Sequence, residues 1–216
     1  MKNKTTFYDS KEETINIITH GIGFILSIVA LVVLLVGASK YGTAKHITSF
    51  AIFGGSLIVL YAASTLYHYA KNPELRHKLN ILDHSAIYVL IAGTYTPFTL
   101  LVLKGWVGWT IFGISWGLAI IGIVFKVFYF GKYDKISTIA YVLMGWVIIL
   151  AIKPLIDSFP TPGLLWLLAG GVSYSIGALL YSIKRIRFNH AIFHVFVLIG
   201  SFCHFMAIFL YVLPQR

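Results

Sequence analysis

Two histidines with a spacing typical of metal ligands begin one of the long apolar stretches of the chain. His190 and His194 stand four residues apart, so on a helix both imidazoles lie on one face and can bind a single zinc ion. His68, near the end of another apolar stretch, can supply a third nitrogen from a neighbouring helix. Three protein ligands that leave the fourth position open are typical of catalytic rather than structural zinc sites.

Two further polar side chains can complete such a site. Asp83 stands close to the start of a third apolar stretch, and its carboxylate can hold and deprotonate a water molecule. Ser64 precedes His68 by one helical turn and so shares its face. The sequence therefore predicts that His68, His190 and His194 hold Zn²⁺, with Asp83 as the general base and Ser64 as a contact to water or substrate.

Each of these residues also has an ordinary structural interpretation. A pair of histidines four apart can arise by chance, and a histidine at a membrane edge can reach for lipid headgroups. Asp83 can instead be the N-cap of a helix. His204 lies about 80° away from the face of His194 and is interpreted as a buried hydrogen-bonding residue. The pattern predicts no partner for the other four histidines, which are His20, His46, His77 and His84.

The composition indicates that membrane-spanning helices must position these side chains. The 216 residues are 58% hydrophobic and only 11% charged, whereas soluble domains carry roughly a quarter charged residues. Seven stretches contain no Asp, Glu, Lys or Arg: 14–39, 46–70, 84–103, 105–125, 136–152, 158–183 and 188–215. Each is long enough, with a turn borrowed for the shortest, to span a bilayer as a helix. We expect an all-α integral membrane protein with a bundle of seven transmembrane helices.

The distribution of basic residues predicts the orientation. Twelve Lys and Arg residues fall on the N-terminal side of the predicted spans, against five on the opposite side. Basic residues favour the cytoplasmic side, so the N-terminus is predicted to be cytoplasmic and the C-terminus outside. The chain is expected to form one domain, 1–216, with a short cytoplasmic tail, 1–13. The net charge is +10. The basic residues that produce it lie between apolar runs, which favours anionic lipids over nucleic acid as partners.

Helix-breaking and small residues give two local expectations. Pro97 lies inside the third predicted span and should kink its outer part. Gly113 and Gly117 form a GxxxG pattern, and the sixth span contains the further glycines Gly170, Gly171 and Gly177. These glycines are expected to let helices pack closely.

Several motifs along nearly the whole chain resemble the bacterial hemolysin III proteins, within the larger progestin and adipoQ receptor family that includes the adiponectin receptors. They are Glu12-Glu13-x-x-Asn16-x-x-x-His20-Gly21, Ser64-x-x-x-His68, Leu82-Asp83-His84-Ser85, Gly93-Thr94-Tyr95-Thr96-Pro97, His190-Ala191-Ile192-Phe193-His194 and His204-Phe205. The resemblance implies zinc ligands at His68, His190 and His194. It also implies an aspartate, Asp83, that approaches the zinc-bound water, and a serine, Ser64, beside the site.

The resemblance implies a multi-pass protein of the cell membrane that acts on lipids. The receptor branch is similar to membrane hydrolases such as alkaline ceramidases, whereas the bacterial branch is named for haemolysis and linked to membrane-lipid homeostasis. We expect a zinc-dependent intramembrane hydrolase of a lipid amide or ester, with substrate or free fatty acid inside the bundle. A haemolysin that permeabilises membranes and a non-enzymatic lipid sensor are the alternatives. No protein hormone is expected as a partner, because the predicted tails are short.

Overall fold

The computed structural model describes residues 7–129 and 134–214, without the side chains of residues 134 and 135. The α-helices are α1 (Ser10–Tyr41), α2 (Ala44–Tyr69), α3 (Pro73–Pro97), α4 (Gly105–Tyr129), α5 (Asp134–Gly145), α6 (Ile152–Ser158), α7 (Thr161–Ser182) and α8 (Asn189–Tyr211). A π-helical turn, Phe98–Val102, extends α3, and a 3₁₀ segment, Val147–Ala151, precedes α6. Residues 10–13, assigned to the tail from sequence, form the first turn of α1, and residues 1–6 lie outside the described part.

Seven helical segments are long and apolar enough to cross a membrane. The described residues include no β-strand, which confirms the prediction of an all-α, seven-helix membrane protein. The fifth segment, Ile136–Ser158, consists of the main part of α5, the 3₁₀ segment and α6. The third, Pro73–Val102, starts about ten residues before the charge-free run.

The early start of α3 changes the interpretation of Asp83. The side chain of Asn72 accepts hydrogen bonds from the backbone N–H groups of Glu74 and Leu75, and Pro73 occupies the first turn. This is a typical helix N-terminus, so Asn72 and not Asp83 caps the helix. Asp83 lies inside α3 and is buried, which leaves its carboxylate available to the interior of the bundle.

Two of the spans are irregular, the third near its C-terminal end and the fifth near its middle. At Pro97 the α-helical hydrogen bonding of α3 gives way to the π turn, where the Leu103 N–H donates to the Phe98 carbonyl at 2.8 Å. The missing N–H of proline accounts for this change. The fifth span is interrupted after Gly145, where the hydroxyl of Tyr95 lies 2.7 Å from the Gly145 carbonyl and accepts the Ile148 N–H at 3.0 Å. The Tyr95 hydroxyl thus forms hydrogen bonds with backbone groups that the interruption leaves without helical partners.

Helix packing places α1, α2, α3, α7 and α8 around the predicted site. The most extensive contacts are those between α7 and α8, α1 and α2, and α2 and α3, and α1 also packs on α8. Gly170 makes close contact with the His204 ring on α8, as expected for a packing glycine. Gly113 and Gly117 do not follow the expectation, because a Cβ atom at either position would meet no described atom within 4 Å. The GxxxG pattern of α4 therefore does not mark a helix contact in the described part of the chain.

Membrane orientation gives a first testable prediction. One of the twelve basic residues counted on the N-terminal side, Lys126, is buried in α4, but the bias towards that side persists without it. A reporter fused after Arg216 should lie outside the cytoplasm, so alkaline phosphatase should be active there and green fluorescent protein should not fluoresce. Parallel fusions of alkaline phosphatase and of green fluorescent protein would measure this, and fluorescence without phosphatase activity would reverse the orientation.

Candidate metal centre

The three predicted histidine ligands converge at one end of the bundle. His68 lies in the last turn of α2, and His190 and His194 lie in the first turns of α8. All three are buried, and each offers a ring nitrogen within 4.8 Å of those of the other two. The Nε2 atoms of His68 and His190 are 3.1 Å apart. The three side chains are therefore close enough together to hold one metal ion.

The protonation of His68 agrees with a metal-binding role. Its Nδ1 atom lies 2.7 Å from the Glu13 carboxylate, which can only accept a hydrogen bond, so Nδ1 carries the proton. The lone pair of Nε2 is then directed towards His190. Two nitrogens bound to one tetrahedral zinc ion lie about 3.3 Å apart, close to the observed separation. The residues present thus fit a zinc ion, with neutral imidazoles as ligands.

Glu13 connects this ligand to the rest of the bundle. One of its carboxylate oxygens accepts from His68, and the other accepts from the Tyr8 backbone N–H at 3.0 Å and from the Arg76 guanidinium. A carboxylate that orients a histidine ligand is a recurrent feature of zinc sites. Glu13 is therefore the residue that fixes the ring of His68.

Arg76 supports Glu13 from α3. Its side chain is almost fully buried and its Nη1 donates to the carbonyls of Tyr67, His68 and Ala70 at 3.0 to 3.2 Å. These carbonyls belong to the C-terminal end of α2, where helical partners are lacking. Arg76 consequently ties the end of α2 to α1 and holds the backbone that carries His68.

Residues at the start of α1 and just before it also contact the second predicted ligand, His190. The Tyr8 hydroxyl lies 3.0 Å from Nδ1 of His190, and burial raises the pKa of Tyr8, so its phenol stays neutral. The Glu12 carboxylate accepts hydrogen bonds from the backbone N–H groups of His190 and Ala191 at 3.1 and 3.4 Å. Glu12 thereby caps α8, whose own preceding residue, Phe188, makes no side-chain cap.

The third predicted ligand, His194, stacks on His20, a histidine for which the sequence predicted no partner. The rings of His20 and His194 are 3.5 Å apart and nearly parallel. Among the described residues, Nδ1 of His194 and both ring nitrogens of His20 make no hydrogen bond of good geometry. The amide of Asn16, one turn before His20, lies 3.4 Å from Nδ1 of His68.

Sequence reasoning missed the contribution of α1, although a signal was present. Glu12, Asn16 and His20 recur every four residues, which forms a polar row on one face of the helix. Each of them is buried. In an otherwise apolar helix, such a row indicates a buried polar partner, and here that partner is the group of three histidines.

Asp83 and Ser64 reach the centre through a cavity. The cavity is lined by His190, His194, Asp83 and Ser64, and the free space inside it and at its open mouth amounts to about 1210 Å³. Asp83 is not one of the described residues whose ligand atoms cluster within 4.8 Å, so it lies outside the group of ligands. Ser64 interacts with the Asp83 carboxyl group, but its hydroxyl makes no hydrogen bond of good geometry to a described residue.

Other charged and histidine residues have structural partners. Lys126 of α4 is buried on the side of Asp83 and interacts with its carboxyl group, a role that the sequence did not suggest. His204 donates from Nδ1 to the Gly200 carbonyl at 2.7 Å, in agreement with its interpretation as a hydrogen-bonding residue. His46 contacts Thr43 at the start of α2, and His84 donates to the Asn80 carbonyl.

Comparison with known proteins identifies the family of the chain. The family described as "Haemolysin-III related" matches residues 8–205. "Hemolysin-3" of Bacillus cereus is 52% identical over 204 residues, which cover 94% of this chain and 93% of that protein. "Hemolysin-3 homolog" of Bacillus subtilis (strain 168) is 51% identical over 93% of this chain and 94% of that protein. "Monocyte to macrophage differentiation factor" of Homo sapiens is 31% identical over 74% of this chain and 68% of that protein.

The matched region begins at Tyr8, which contacts His190, and includes all three histidines, Asp83 and Ser64. It therefore covers the candidate metal centre together with the α1 residues that support it. From these matches and the seven spans, we conclude that the chain is a multi-pass membrane protein that belongs to the haemolysin-III related family, within the wider group that resembles the adiponectin receptors.

Proposed function

We propose that the protein is a zinc-dependent intramembrane hydrolase that cleaves an amide or ester bond of a membrane lipid. The observation that carries this proposal is the position of His190, His194, Asp83 and Ser64 in the wall of one cavity, with His68 grouped beside the two histidines. The exposed surface of that wall is mostly apolar, which suits a hydrocarbon chain better than a soluble substrate.

His68, His190 and His194 would hold the zinc ion. When bound, zinc supplies Lewis-acid chemistry and makes hydroxide available near neutral pH. Asp83 would accept the proton of the attacking water and later return it to the leaving group, as a general base and then a general acid. Its burial in the bundle keeps bulk water away from this transfer.

The remaining residues would position the reactants. The Ser64 hydroxyl, which has hydrogen-bonding capacity to spare, would donate to the substrate carbonyl and so hold it near the ligands. Glu13 and Tyr8 would keep the rings of His68 and His190 in their observed orientation. Leu60, Ile87 and Phe193 would contact the lipid chain in the same cavity.

Two other functions are kept as alternatives. Membrane permeabilisation is favoured by the names of the two Bacillus relatives, "Hemolysin-3" and "Hemolysin-3 homolog". Lipid sensing would use the same cavity and metal without turnover. The hydrolase is preferred because the polar side chains of the centre gather at one end of the bundle, whereas a pore requires a polar path through it.

The test uses the purified protein in liposomes of native lipid loaded with a self-quenching dye. We expect release of fatty acid or another cleaved lipid, measured by mass spectrometry, with dye leakage near background. Chelation of zinc should abolish product release, and Asp83→Asn should lower it by about 10² to 10⁴, the usual contribution of a general base.

A matched variant and two contrary outcomes complete this test. Asp157→Asn changes an exposed carboxylate of α6, at the opposite end of the bundle, and should leave product release unchanged. Rapid dye leakage that survives both zinc removal and Asp83→Asn would contradict the hydrolase and support permeabilisation. Absence of product and leakage, across phospholipid and sphingolipid liposomes, would contradict both and support sensing.

A further inference from the structure

A second cavity adjoins the one at the metal centre. It lies between the outer parts of α3, α6 and α7, is bordered by residues such as Phe98, Leu155 and Leu164, and encloses about 940 Å³ including its mouth. We call it the distal cavity, and the one lined by the histidine ligands the proximal cavity. The two cavities share six lining residues, Thr94, Tyr95, Gly145, Trp146, Gly171 and His204, which we call the junction.

The depth of the two cavities can be estimated along α7. The proximal cavity extends from Tyr181 to Gly171, about 15 Å at the helical rise of 1.5 Å per residue. The distal cavity extends from Gly171 to Leu164, which adds about 10 Å. One leaflet contributes about half of a hydrocarbon core of roughly 30 Å. The proximal cavity alone therefore has the depth of one leaflet, and the two cavities together have a depth of about 25 Å, which exceeds one leaflet.

The lining of the distal cavity indicates what it would hold. The described residues that border it include no Asp, Glu, Lys or Arg, and beyond the junction they are aliphatic or aromatic. A charged or strongly polar ligand would lose its hydration there without compensation. A hydrocarbon chain that enters from the proximal cavity has no such hydration to lose.

The junction is held in place by specific contacts. The Trp146 indole donates to the Ser175 hydroxyl of α7 at 3.0 Å. The Tyr95 hydroxyl forms hydrogen bonds with the backbone of Gly145 and Ile148, on either side of Trp146. A Cβ atom added at Gly171 would lie 3.6 Å from the Trp146 ring, an ordinary contact. A Cβ atom at Gly145 would meet no described atom within 4 Å. Two glycines thus leave space in the wall that separates the cavities.

We propose that the distal cavity binds the terminal part of a long lipid chain whose polar end lies at the three histidines, and that the junction sets the chain length accepted. This proposal rests on the proposed function only in the choice of a lipid as ligand. Chains that fit within about 15 Å occupy the proximal cavity alone, whereas longer chains pass Trp146 and the two glycines. Trp146, Gly145 and Gly171 are then specificity-determining residues.

The test measures chain position directly and requires no turnover. Full-length, zinc-loaded protein in nanodiscs is incubated with decanoic or stearic acid that carries a diazirine at the methyl end, and cross-linked residues are identified by mass spectrometry. Stearic acid should label distal residues such as Ile148 and Leu164, and decanoic acid should label the proximal wall. In Gly171→Leu, distal labelling should disappear and stearic acid should bind at least about tenfold more weakly, because exclusion of about two methylene groups already costs that much. Decanoic acid should bind as in the wild type.

Two further variants guard the interpretation. Gly145→Leu fills the same junction from α5 and should reproduce the result if Gly171→Leu fails to fold. Gly113→Leu adds the same side chain at an exposed position of α4 outside both cavities and should change nothing. Absence of distal labelling by stearic acid in the wild type, or unchanged stearic acid binding in both junction variants, would overturn the proposal. Distal labelling without any hydrolysis would contradict the hydrolase alone.

Discussion

Replacement of His194 with alanine is expected to reduce the zinc content from about one ion per chain to nearly none. His194 would contribute one of three protein ligands, and its Nδ1 atom makes no competing hydrogen bond of good geometry to a described residue. Loss of a ligand should therefore weaken binding by more than the 10- to 100-fold that is typical of residues next to the ligands. Elemental analysis of protein purified without chelators would measure it.

Two substitutions show whether this loss is specific. His204→Ala removes another buried histidine of α8, but one that lies outside the metal centre, and should retain the zinc. Asp83→Ala should retain much of it, because Asp83 is placed beyond the ligands. Complete loss of zinc in Asp83→Ala would instead make that carboxylate a direct ligand.

The second large effect is expected for Glu13→Ala, which should lower both stability and zinc affinity. Arg76 is almost fully buried, and removal of the partner of a buried charge costs about 3–5 kcal/mol. We expect the lower end of this range, because the Glu13 side chain is 15% exposed. His68 would also lose the carboxylate that orients its ring, at a cost of about 10- to 100-fold in zinc affinity. Thermal unfolding and competition with a zinc chelator measure the two effects.

A double variant separates the two roles of Glu13. Glu13→Ala with Arg76→Met removes the buried charge as well. It should recover part of the stability, reduced by the loss of the hydrogen bonds that Arg76 donates to the end of α2, but none of the zinc affinity. Glu74→Ala, which changes an exposed carboxylate in the first turn of α3, should behave as the wild type. Equal recovery of stability and zinc affinity in the double variant would show that Glu13 acts on the fold and not on His68.

The membrane-spanning helices could be predicted from the sequence, because a run of about 20 apolar residues without charge has the length of a helix that crosses the hydrocarbon core. The exact helix limits could not be predicted from the sequence. Asn72 and Pro73 start α3 well before the charge-free run, since a helix can extend beyond the hydrocarbon core. The interruption after Gly145 depends on hydrogen bonds from Tyr95 of another helix, and local spacing contains no information about such a contact.

The candidate ligands could be proposed from residue type and spacing within single helices, as for His190 and His194. The residues that hold these ligands could not, because each contact joins distant parts of the chain. Glu13 and His68 are separated by 55 positions, and Glu12 meets the His190 backbone across 178 positions. Lys126 was counted as a loop charge for the same reason, since only packing places it on the side of Asp83.

X-ray absorption at the zinc edge of the purified protein tests the central claim most directly. With His68, His190 and His194 as ligands, the spectrum should show three nitrogen neighbours at about 2.0–2.1 Å and one further light atom, with the multiple scattering of imidazole rings. The imidazole signal should disappear together with the metal in His194→Ala. A zinc ion coordinated by sulfur or by oxygen alone, or purified protein with no metal that binds none when zinc is added, would contradict the account.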